Sequence, residues 1–242
     1  MKIALLGYGR MGKAIERIAL ERGHRIVLKV DLDNREECTD EQLKTADIAI
    51  DFSTPVIAVD NYKWCFDNGI PVVSGTTGWL ERWQEVTDYC QAKAGGFFYA
   101  SNFSIGVNLF FQLNATLARM MSGFDDYKVY IEETHHIHKL DAPSGTAISI
   151  AQGILENHPS YKSWELEHGV VLPADVIPVT AKRIDEVPGI HVVTYKSAVD
   201  QIEISHSAFS REGFAHGAVL AAEFMQGKKG VFGMKDMLKI RN

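Results

Sequence analysis

The 242-residue chain has the composition of a folded globular protein, with 46% apolar residues, 23% charged residues and a net charge of −6. These values exclude bulk disorder, and the absence of a basic block disfavours nucleic acid as a partner. Three cysteines without a CxxC pair disfavour a disulfide framework and fit a reducing, cytoplasmic compartment. The first apolar run is too short for a signal peptide, and no sequence run predicts a membrane span.

Roughly the first hundred residues alternate short apolar runs with helical patterns. The runs that predict strands are 2–6, 26–30, 48–52, 70–73 and 97–100. Strands that are apolar throughout are buried on both faces, as in a parallel sheet covered by helices. This half is therefore predicted to be α/β, with a Rossmann-type doubly wound parallel sheet.

The alternation of predicted strands and helices ends after Asn102. Strands are predicted without a helix between each pair, at 127–134, 170–172, 176–180, 191–195 and 202–206. This pattern is typical of an α+β domain with a mixed or antiparallel sheet. Helical spacing returns over 212–225. We therefore predict one domain at 1–102, completed by 211–242, and a second domain at 103–210.

A glycine-rich turn follows the first predicted strand and opens the first predicted helix. The residues that match GxGxxG are Gly7, Tyr8, Gly9, Arg10, Met11 and Gly12. In this pattern the glycines permit a tight turn, the approach of a pyrophosphate and close packing of helix on strand. Asp31 lies about 20 residues further on, where an acid accepts a hydrogen bond from the adenosine ribose. An ordinary tight turn is the alternative, but Asp31 favours dinucleotide binding.

Two more loops follow predicted strands of the same sheet. The first contains Gly75, Thr76, Thr77 and Gly78, and the second contains Ala100, Ser101, Asn102 and Phe103. Because ligands of doubly wound sheets bind outside the carboxyl ends of the strands, both loops are candidates to line the nicotinamide end of a cofactor. Each loop can equally be a plain turn.

A cationic cluster lies in the second half, at His135, His136, His138 and Lys139. In an acidic chain, an anionic substrate is the simplest reason for such a cluster. An extended backbone would place His135 and Lys139 on one face, and a helix would also align them. The alternatives are a solvated turn or a metal site. The metal is disfavoured because Lys139 would repel it and the nearby acids have no recognised ligand spacing.

A predicted helix begins just after this cluster. Ser144 is a plausible N-cap, so the backbone N–H groups of Gly145 and Thr146 can bind an anion such as a carboxylate. Taken alone, such a cap is more often only structural. Its position next to the cationic cluster is what favours a binding role.

These segments resemble the 4-hydroxy-tetrahydrodipicolinate reductase family, also called dihydrodipicolinate reductases, of lysine and diaminopimelate biosynthesis. The resemblance rests chiefly on HHxHKxDAPSGTA at 135–147, a long and specific pattern. Supporting segments occur in order along the whole chain: GRMG at 9–12, DFS at 51–53, GTTG at 75–78, NFSIGVN at 102–108 and SRxxFAxGA at 210–218. The glycine loop is one residue shorter than the GxxGRMG that is usual in the family.

The resemblance implies an enzyme that uses NADH or NADPH to reduce a cyclic dicarboxylate, 4-hydroxy-tetrahydrodipicolinate, to tetrahydrodipicolinate. It implies that Lys139 donates a proton and that His135 is a second acid/base or an orienting group. Substrate carboxylates would contact His136, Gly145 and Thr146. The cofactor would contact Gly7 to Gly12, Asp31, Gly75 to Thr77 and Ala100 to Phe103, and no metal is expected.

The resemblance also makes 1–102 the dinucleotide-binding domain and 103–210 the domain for substrate binding and oligomerisation. The second half has too few helices to cover both faces of its sheet, which predicts self-association, and the family implies a homotetramer. Hinges are expected near Asn102 and Arg211. An aspartate or diaminopimelate dehydrogenase would not need the 135–147 pattern, and a dinucleotide sensor would not need Lys139.

Overall fold

The computed structural model describes residues 1–169, 171–210 and 212–240. Two compact units divide the chain, Met1–Ile105 together with Glu212–Asn242, and Gly106–Arg211. The residue expected at the second hinge, Arg211, lies outside the described residues. In the described ranges, no helix is both long and apolar enough to cross a bilayer.

The strands are, in chain order, β1 (Lys2–Leu6), β2 (Arg25–Val30), β3 (Ile48–Asp51), β4 (Val72–Ser74), β5 (Gly96–Tyr99), β6 (Lys128–His135), β7 (Ser163–Leu166), β8 (Val176–Arg183), β9 (Ile190–Lys196), β10 (Gln201–Ser207) and β11 (Gly230–Phe232). The α-helices are α1 (Arg10–Glu21), α2 (Asp40–Leu43), α3 (Pro55–Asp67), α4 (Trp83–Ala92), α5 (Ile105–Met121), α6 (Gly145–Leu155), α7 (Glu212–Phe224) and α8 (Met234–Met237).

The first unit contains a six-stranded sheet in the order β2-β1-β3-β4-β5-β11, in which all neighbouring strands are parallel. Leu5 lies in the core cluster that includes α1 and α7, whereas the next residue, Leu6, lies in the core cluster that includes α3 and α4. Burial on both faces explains why these strands read as unbroken apolar runs. The predicted Rossmann-type sheet is confirmed.

The second unit contains a five-stranded sheet in the order β10-β9-β6-β8-β7. β6 is parallel to β8 and antiparallel to β9, so the predicted mixed sheet is confirmed. Its apolar face packs against α5 and α6, through side chains such as Phe110, Ala118 and Ile150.

The prediction of a strand at 170–172 is wrong at residues 171 and 172. Residues 171 and 172 are not in a strand, and Val170 lies outside the described residues. The side chain of Val171 is fully exposed, so this short apolar run does not enter a core. The strand that pairs with β8 lies earlier, at Ser163–Leu166, where a glutamate interrupts the apolar pattern.

Candidate functional site

The glycine-rich turn joins β1 to α1 at the carboxyl edge of the parallel sheet. Gly7 has a φ of +89°, and a Cβ added there would lie 2.3 Å from the carbonyl oxygen of Phe52. A Cβ added at Gly12 would lie 2.4 Å from the carbonyl oxygen of Gly7. Gly9 faces open space, and no side chain caps the first turn of α1. The turn therefore presents backbone N–H groups to an anion, as a pyrophosphate site requires.

Tyr8 lies in this turn, but its side chain already has protein partners. Its hydroxyl donates to Glu16, and Nζ of Lys29 lies 4.5 Å from the centre of its ring. Lys29 also pairs with Glu16 at 2.6 Å. A cofactor contact at Tyr8 would therefore involve its backbone rather than its side chain.

A cavity of about 160 Å³ lies beside the turn and includes Gly7, Gly9 and Asp31 in its lining. Asp31 is exposed, and its Oδ1 accepts the N–H of Leu32 at 3.0 Å. Arg35 also lines this cavity, and its guanidinium lies 3.9 Å from the ring centre of Trp64. Arg35 comes four residues after Asp31 and is not among the residues predicted from the sequence.

The loops after β4 and β5 lie at the same edge of the sheet. Thr76 is buried and donates from Oγ1 to Oδ1 of Asp51 at 2.5 Å, whereas Thr77 is exposed. Ala100 and Phe103 are buried, and the Phe103 ring packs in the core 5.6 Å from the ring of Phe52. Gly75 and Asn102 are half-buried, and Ser101 is exposed. In the glycine-rich turn, Arg10 is exposed and Met11 is half-buried. The Phe103 side chain is therefore a core residue, which leaves its backbone for any cofactor contact.

The cationic cluster lies where the chain leaves the second sheet. β6 ends at His135, and the N–H of Lys139 donates to the carbonyl oxygen of His136 at 3.1 Å, which closes a turn. Residues 136–139 are neither extended nor helical, so neither of the two geometries that would align His135 with Lys139 is present. The N–H of Ile137 donates to the carbonyl oxygen of Asp185, which attaches the turn to the β8–β9 connection.

A fully buried carboxylate, Glu133, organises this end of the sheet. It lies two residues before His135, on the same face of β6, and its Oε2 forms an ion pair with Nδ1 of His135. Nη2 of Arg183 lies 2.9 Å from Oε1. Burial by itself would raise the pKa of Glu133, but the contacts with His135 and Arg183 outweigh burial and lower the pKa to about 2. Glu133 is therefore ionised at neutral pH.

Arg183 also fixes the segment that carries Lys139. Its Nε donates to the carbonyl oxygen of Lys139 at 3.2 Å, and its Nη2 donates to the carbonyl oxygen of Asp141 at 2.6 Å. Nζ of Lys139 lies 2.8 Å from Oδ1 of Asp141, and this hydrogen bond lowers the pKa of Asp141. The ammonium group is therefore held at a defined position beside the end of β6.

The predicted N-cap at Ser144 is confirmed. Its Oγ accepts the N–H of Ala147 at 3.2 Å, and its own N–H donates to Oε1 of Glu133 at 3.1 Å. Among the described residues, no hydrogen bond uses the N–H groups of Gly145 and Thr146. Glu133 thus connects His135 directly to a helix start that has two available donors.

Two other histidines belong to this region, His136 next to His135 in the chain and His191 beside Ser144. His136 is half-buried, and its Nδ1 has no partner within the described ranges. His191 on β9 is buried, and its Nε2 lies 3.2 Å from Oγ of Ser144. The pKa of His191 is lowered to about 4, mainly by burial and secondly by the neighbouring His135. The His191 imidazole is therefore neutral at pH 7. His191 is not among the site residues predicted from the sequence, where it appears only as the first residue of the predicted strand at 191–195.

Glu133, His135 and His191 place possible metal-ligand atoms within 4.8 Å of one another. Both oxygens of Glu133, however, already contact His135 and Arg183. A metal ion would have to displace these contacts next to a fixed guanidinium. We therefore interpret the group as an ion-pair network and assign no metal to it.

The comparisons with known proteins identify the family. Residues 1–103 match the family described as dihydrodipicolinate reductase, N-terminus, and residues 106–238 match dihydrodipicolinate reductase, C-terminus. The chain belongs to the dihydrodipicolinate reductase family. A 4-hydroxy-tetrahydrodipicolinate reductase from Christiangramia forsetii is 53% identical over 239 residues, which covers 98% of each chain. One from Neisseria meningitidis serogroup B is 30% identical and covers 100% of this chain and 98% of the relative.

Solved structures show the same fold. A dihydrodipicolinate reductase from Paenisporosarcina sp. TG-14, with dipicolinate bound, superposes with a TM-score of 0.80 at 22% identity and covers 100% of this chain and 99% of that chain. A probable dehydrogenase from Thermotoga maritima has a TM-score of 0.55 at 10% identity, covering 98% and 92%.

Family membership confirms the predicted activity. Dihydrodipicolinate reductases are NAD(P)H-dependent oxidoreductases that reduce 4-hydroxy-tetrahydrodipicolinate in lysine and diaminopimelate biosynthesis. The cofactor expected from the glycine-rich turn is likewise confirmed as NAD(P)H. The roles of individual site residues stay predictions.

Proposed function

We propose that residues 135–146 bind the carboxylates of 4-hydroxy-tetrahydrodipicolinate and supply a proton during its reduction to tetrahydrodipicolinate. The observation that carries this proposal is the position of Glu133, a buried carboxylate that contacts His135, Arg183 and the N–H of Ser144. A single anchor thereby holds the acid/base group, the segment of Lys139 and the start of α6.

The substrate is a dianion, and the segment offers donors for both of its carboxylates. The available N–H groups of Gly145 and Thr146 suit one carboxylate, because they lie at the positive end of an 11-residue helix. The imidazole of His136, which is half-buried, is the group we assign to another contact. Dipicolinate, the ligand in the Paenisporosarcina structure, is a stable dicarboxylate of the same kind.

The product lacks the 4-hydroxyl group, so a hydride and a proton enter and water leaves. NAD(P)H supplies the hydride when it is bound. Lys139 is the group we assign as proton donor, and His135 is a second acid/base or orienting group. In the free protein Lys139 pairs with Asp141, which is 60% exposed in its side chain. The arriving substrate can therefore compete with Asp141 for the ammonium group.

The residues of the first unit fit a dinucleotide. The N–H of Gly7 bonds to the carbonyl oxygen of Val30, so the N–H groups at the start of α1 are the ones left for the pyrophosphate. Asp31 retains a carboxylate oxygen for the ribose hydroxyls. The loops at 75–77 and 100–103 lie at the same sheet edge and would contact the nicotinamide half. We assign Thr77, Ser101 and the backbone of Phe103 to that contact.

Both the activity and the cofactor preference are tested by one assay. The purified chain is mixed with the product of dihydrodipicolinate synthase and with either NADH or NADPH, and the fall in cofactor absorbance is followed. We expect turnover, with NADH used at least as well as NADPH, because Asp31 accepts from a ribose hydroxyl but repels a 2′-phosphate. A KM for NADPH far below that for NADH would contradict the role of Asp31 and would indicate that Arg35 binds the 2′-phosphate of NADPH. No turnover with either cofactor would contradict the proposal.

We also propose a homotetramer built through the second unit. Along β9 and residues 128–133 of β6, buried residues alternate with exposed or half-buried ones, so α5 and α6 cover one face of the sheet. Tyr130 on the other face is 47% exposed. Such a face is commonly buried by symmetric self-association. Light scattering after size exclusion should give four times the chain mass of 27.0 kDa, and a monomeric or dimeric mass would contradict the tetramer.

We place the enzyme in the cytoplasm. Cys38, Cys65 and Cys90 are all free thiols, and the last two are buried in the core of the first unit. Free thiols are typical of proteins that fold in a reducing compartment.

A further inference from the structure

Asp51, the last residue of β3, is a fully buried acid that the proposed reaction does not use. Three side chains donate hydrogen bonds to its carboxylate. Oγ1 of Thr76 donates at 2.5 Å, Nδ2 of Asn61 at 2.9 Å and Oγ of Ser53 at 3.0 Å. All three donors are neutral, so no cation among these partners offsets the buried charge.

These contacts join three elements of the cofactor edge. Ser53 belongs to the loop after β3, Thr76 to the loop after β4, and Asn61 to α3. Oγ1 of Thr76 also accepts the backbone N–H of Ser53 at 2.9 Å, so the two loops are bonded to each other as well as to Asp51. Ser53 and Asn61 line the same cavity as Asp31.

A buried carboxylate carries a desolvation penalty that a purely structural contact between two loops does not require. Burial raises the pKa of Asp51 to about 6, and the hydrogen bonds from Thr76, Asn61 and Ser53 offset burial only in part. A neutral side chain of the same shape would avoid the desolvation penalty. A carboxylate can, however, accept from three donors at once, which an amide oxygen with two lone pairs cannot do.

We propose that Asp51 is a positioning residue for the cofactor, whose carboxylate holds the loops after β3 and β4 in the conformation that binds NAD(P)H. This inference rests on the cofactor site proposed above. It assigns to Asp51 no contact with the reacting atoms.

The test compares the NADH affinity of four proteins by fluorescence titration. In Asp51→Asn we expect the Kd for NADH to rise about tenfold, since a hydrogen bond to a charged group contributes roughly 1.5–3 kcal/mol. We expect kcat at saturating NADH to change less than about twofold and Tm not to fall, because the buried charge is removed. Asp60→Asn, at an exposed acid of the same helix α3 as Asn61, should leave Kd unchanged. Asn61→Ala removes one donor without touching the carboxylate and should raise Kd in the same direction.

Gly9→Val separates this inference from the cofactor site itself. A Cβ at Gly9 would meet no protein atom within 4 Å, and its φ of −77° suits any residue, so the variant should fold. Its methyl groups would block a pyrophosphate. If Gly9→Val binds NADH like the parent, the proposed cofactor site is wrong. If Gly9→Val loses NADH but Asp51→Asn and Asn61→Ala do not, Asp51 has no positioning role. If Asp51→Asn does not fold, Asn61→Ala alone decides between these outcomes.

A pH series provides a readout that a packing defect would not change. Among the described residues, Tyr62 and Cys65 of α3 are titratable groups that interact with Asp51, and burial raises the pKa of each, so both stay neutral at about pH 5–8. Below about pH 6, protonation of Asp51 removes an acceptor site, and the parent should bind NADH more weakly as pH falls. Asp51→Asn should lack this change, whereas Asp60→Asn, which keeps Asp51, should show the same change as the parent. An identical pH dependence in Asp51→Asn and the parent would overturn the inference.

Discussion

Lys139→Met is expected to lower kcat by roughly 10²–10⁴-fold, the usual contribution of a general acid. Methionine keeps an unbranched apolar side chain but cannot donate a proton. Because Lys139 lies in the second unit, binding of NADH should be nearly unchanged. Stopped-flow or steady-state assays of cofactor oxidation give kcat, and fluorescence titration gives the Kd for NADH.

Lys182→Met is the matched control for this substitution. Lys182 lies on the adjacent strand β8 and pairs with Glu132 at 2.6 Å, on the other face of the sheet from Glu133. Its removal should leave kcat within about twofold of the parent. His135→Ala should reduce kcat in the same direction as Lys139→Met, with a smaller or equal effect. Turnover of folded Lys139→Met at close to the parental rate would show that another group donates the proton.

Glu133→Gln is expected to lower both stability and activity. Removing one partner of a buried ion pair typically costs about 3 kcal/mol, which corresponds to a fall in Tm of roughly 6–12 °C for a chain of this size. The misplacement of His135 and of the start of α6 should lower kcat roughly 10²-fold. Calorimetry and the cofactor assay measure the two effects, and the Kd for NADH should not change.

The pH dependence of this stability loss has a defined sign. The pKa of Glu133 is lowered from 4.5 to about 2, so its ionised form stabilises the fold at pH values above about 4.5. That contribution is lost as pH falls from 4.5 towards 2. The Tm difference between parent and Glu133→Gln should therefore be largest at neutral pH and narrow in acid. A difference that widens in acid would contradict the assignment.

Glu132→Gln is the control at the neighbouring position. The side chain of Glu132 is 43% exposed and pairs with Lys182. Exposed pairs contribute about 0–1 kcal/mol, so Tm and kcat should stay close to the parental values. Equal damage from Glu132→Gln and Glu133→Gln would indicate a general defect of β6 rather than a role of the buried carboxylate.

The central strands β1, β3 and β4 of the first unit were predictable because they are buried on both faces. Ile48 to Ile50, for example, are all buried, and no polar residue interrupts the run. The edge strand β11 was not predictable, since Gly230 and Val231 are exposed and only three residues pair with β5. Its position depends on pairing with a strand more than a hundred residues earlier, which local sequence does not record.

The binding segment was recognisable, but its geometry was not. The pattern at 135–147 singled out His135, Lys139 and Ser144, and the N-cap was predictable from residue type. The turn after His135 depends on a hydrogen bond to Asp185, and the importance of Glu133 depends on Arg183, 50 residues away. A partial signal did exist, because Glu133 and His135 are two apart on a predicted strand and so share a face.

A crystal structure of this chain with NADH and dipicolinate would show whether residues 135–146 hold the substrate dicarboxylate. We expect one carboxylate of dipicolinate at about 3 Å from the backbone nitrogens of Gly145 and Thr146, with the Lys139 ammonium and His136 contacting the ligand. Dipicolinate bound with both carboxylates away from this segment would contradict the proposed function.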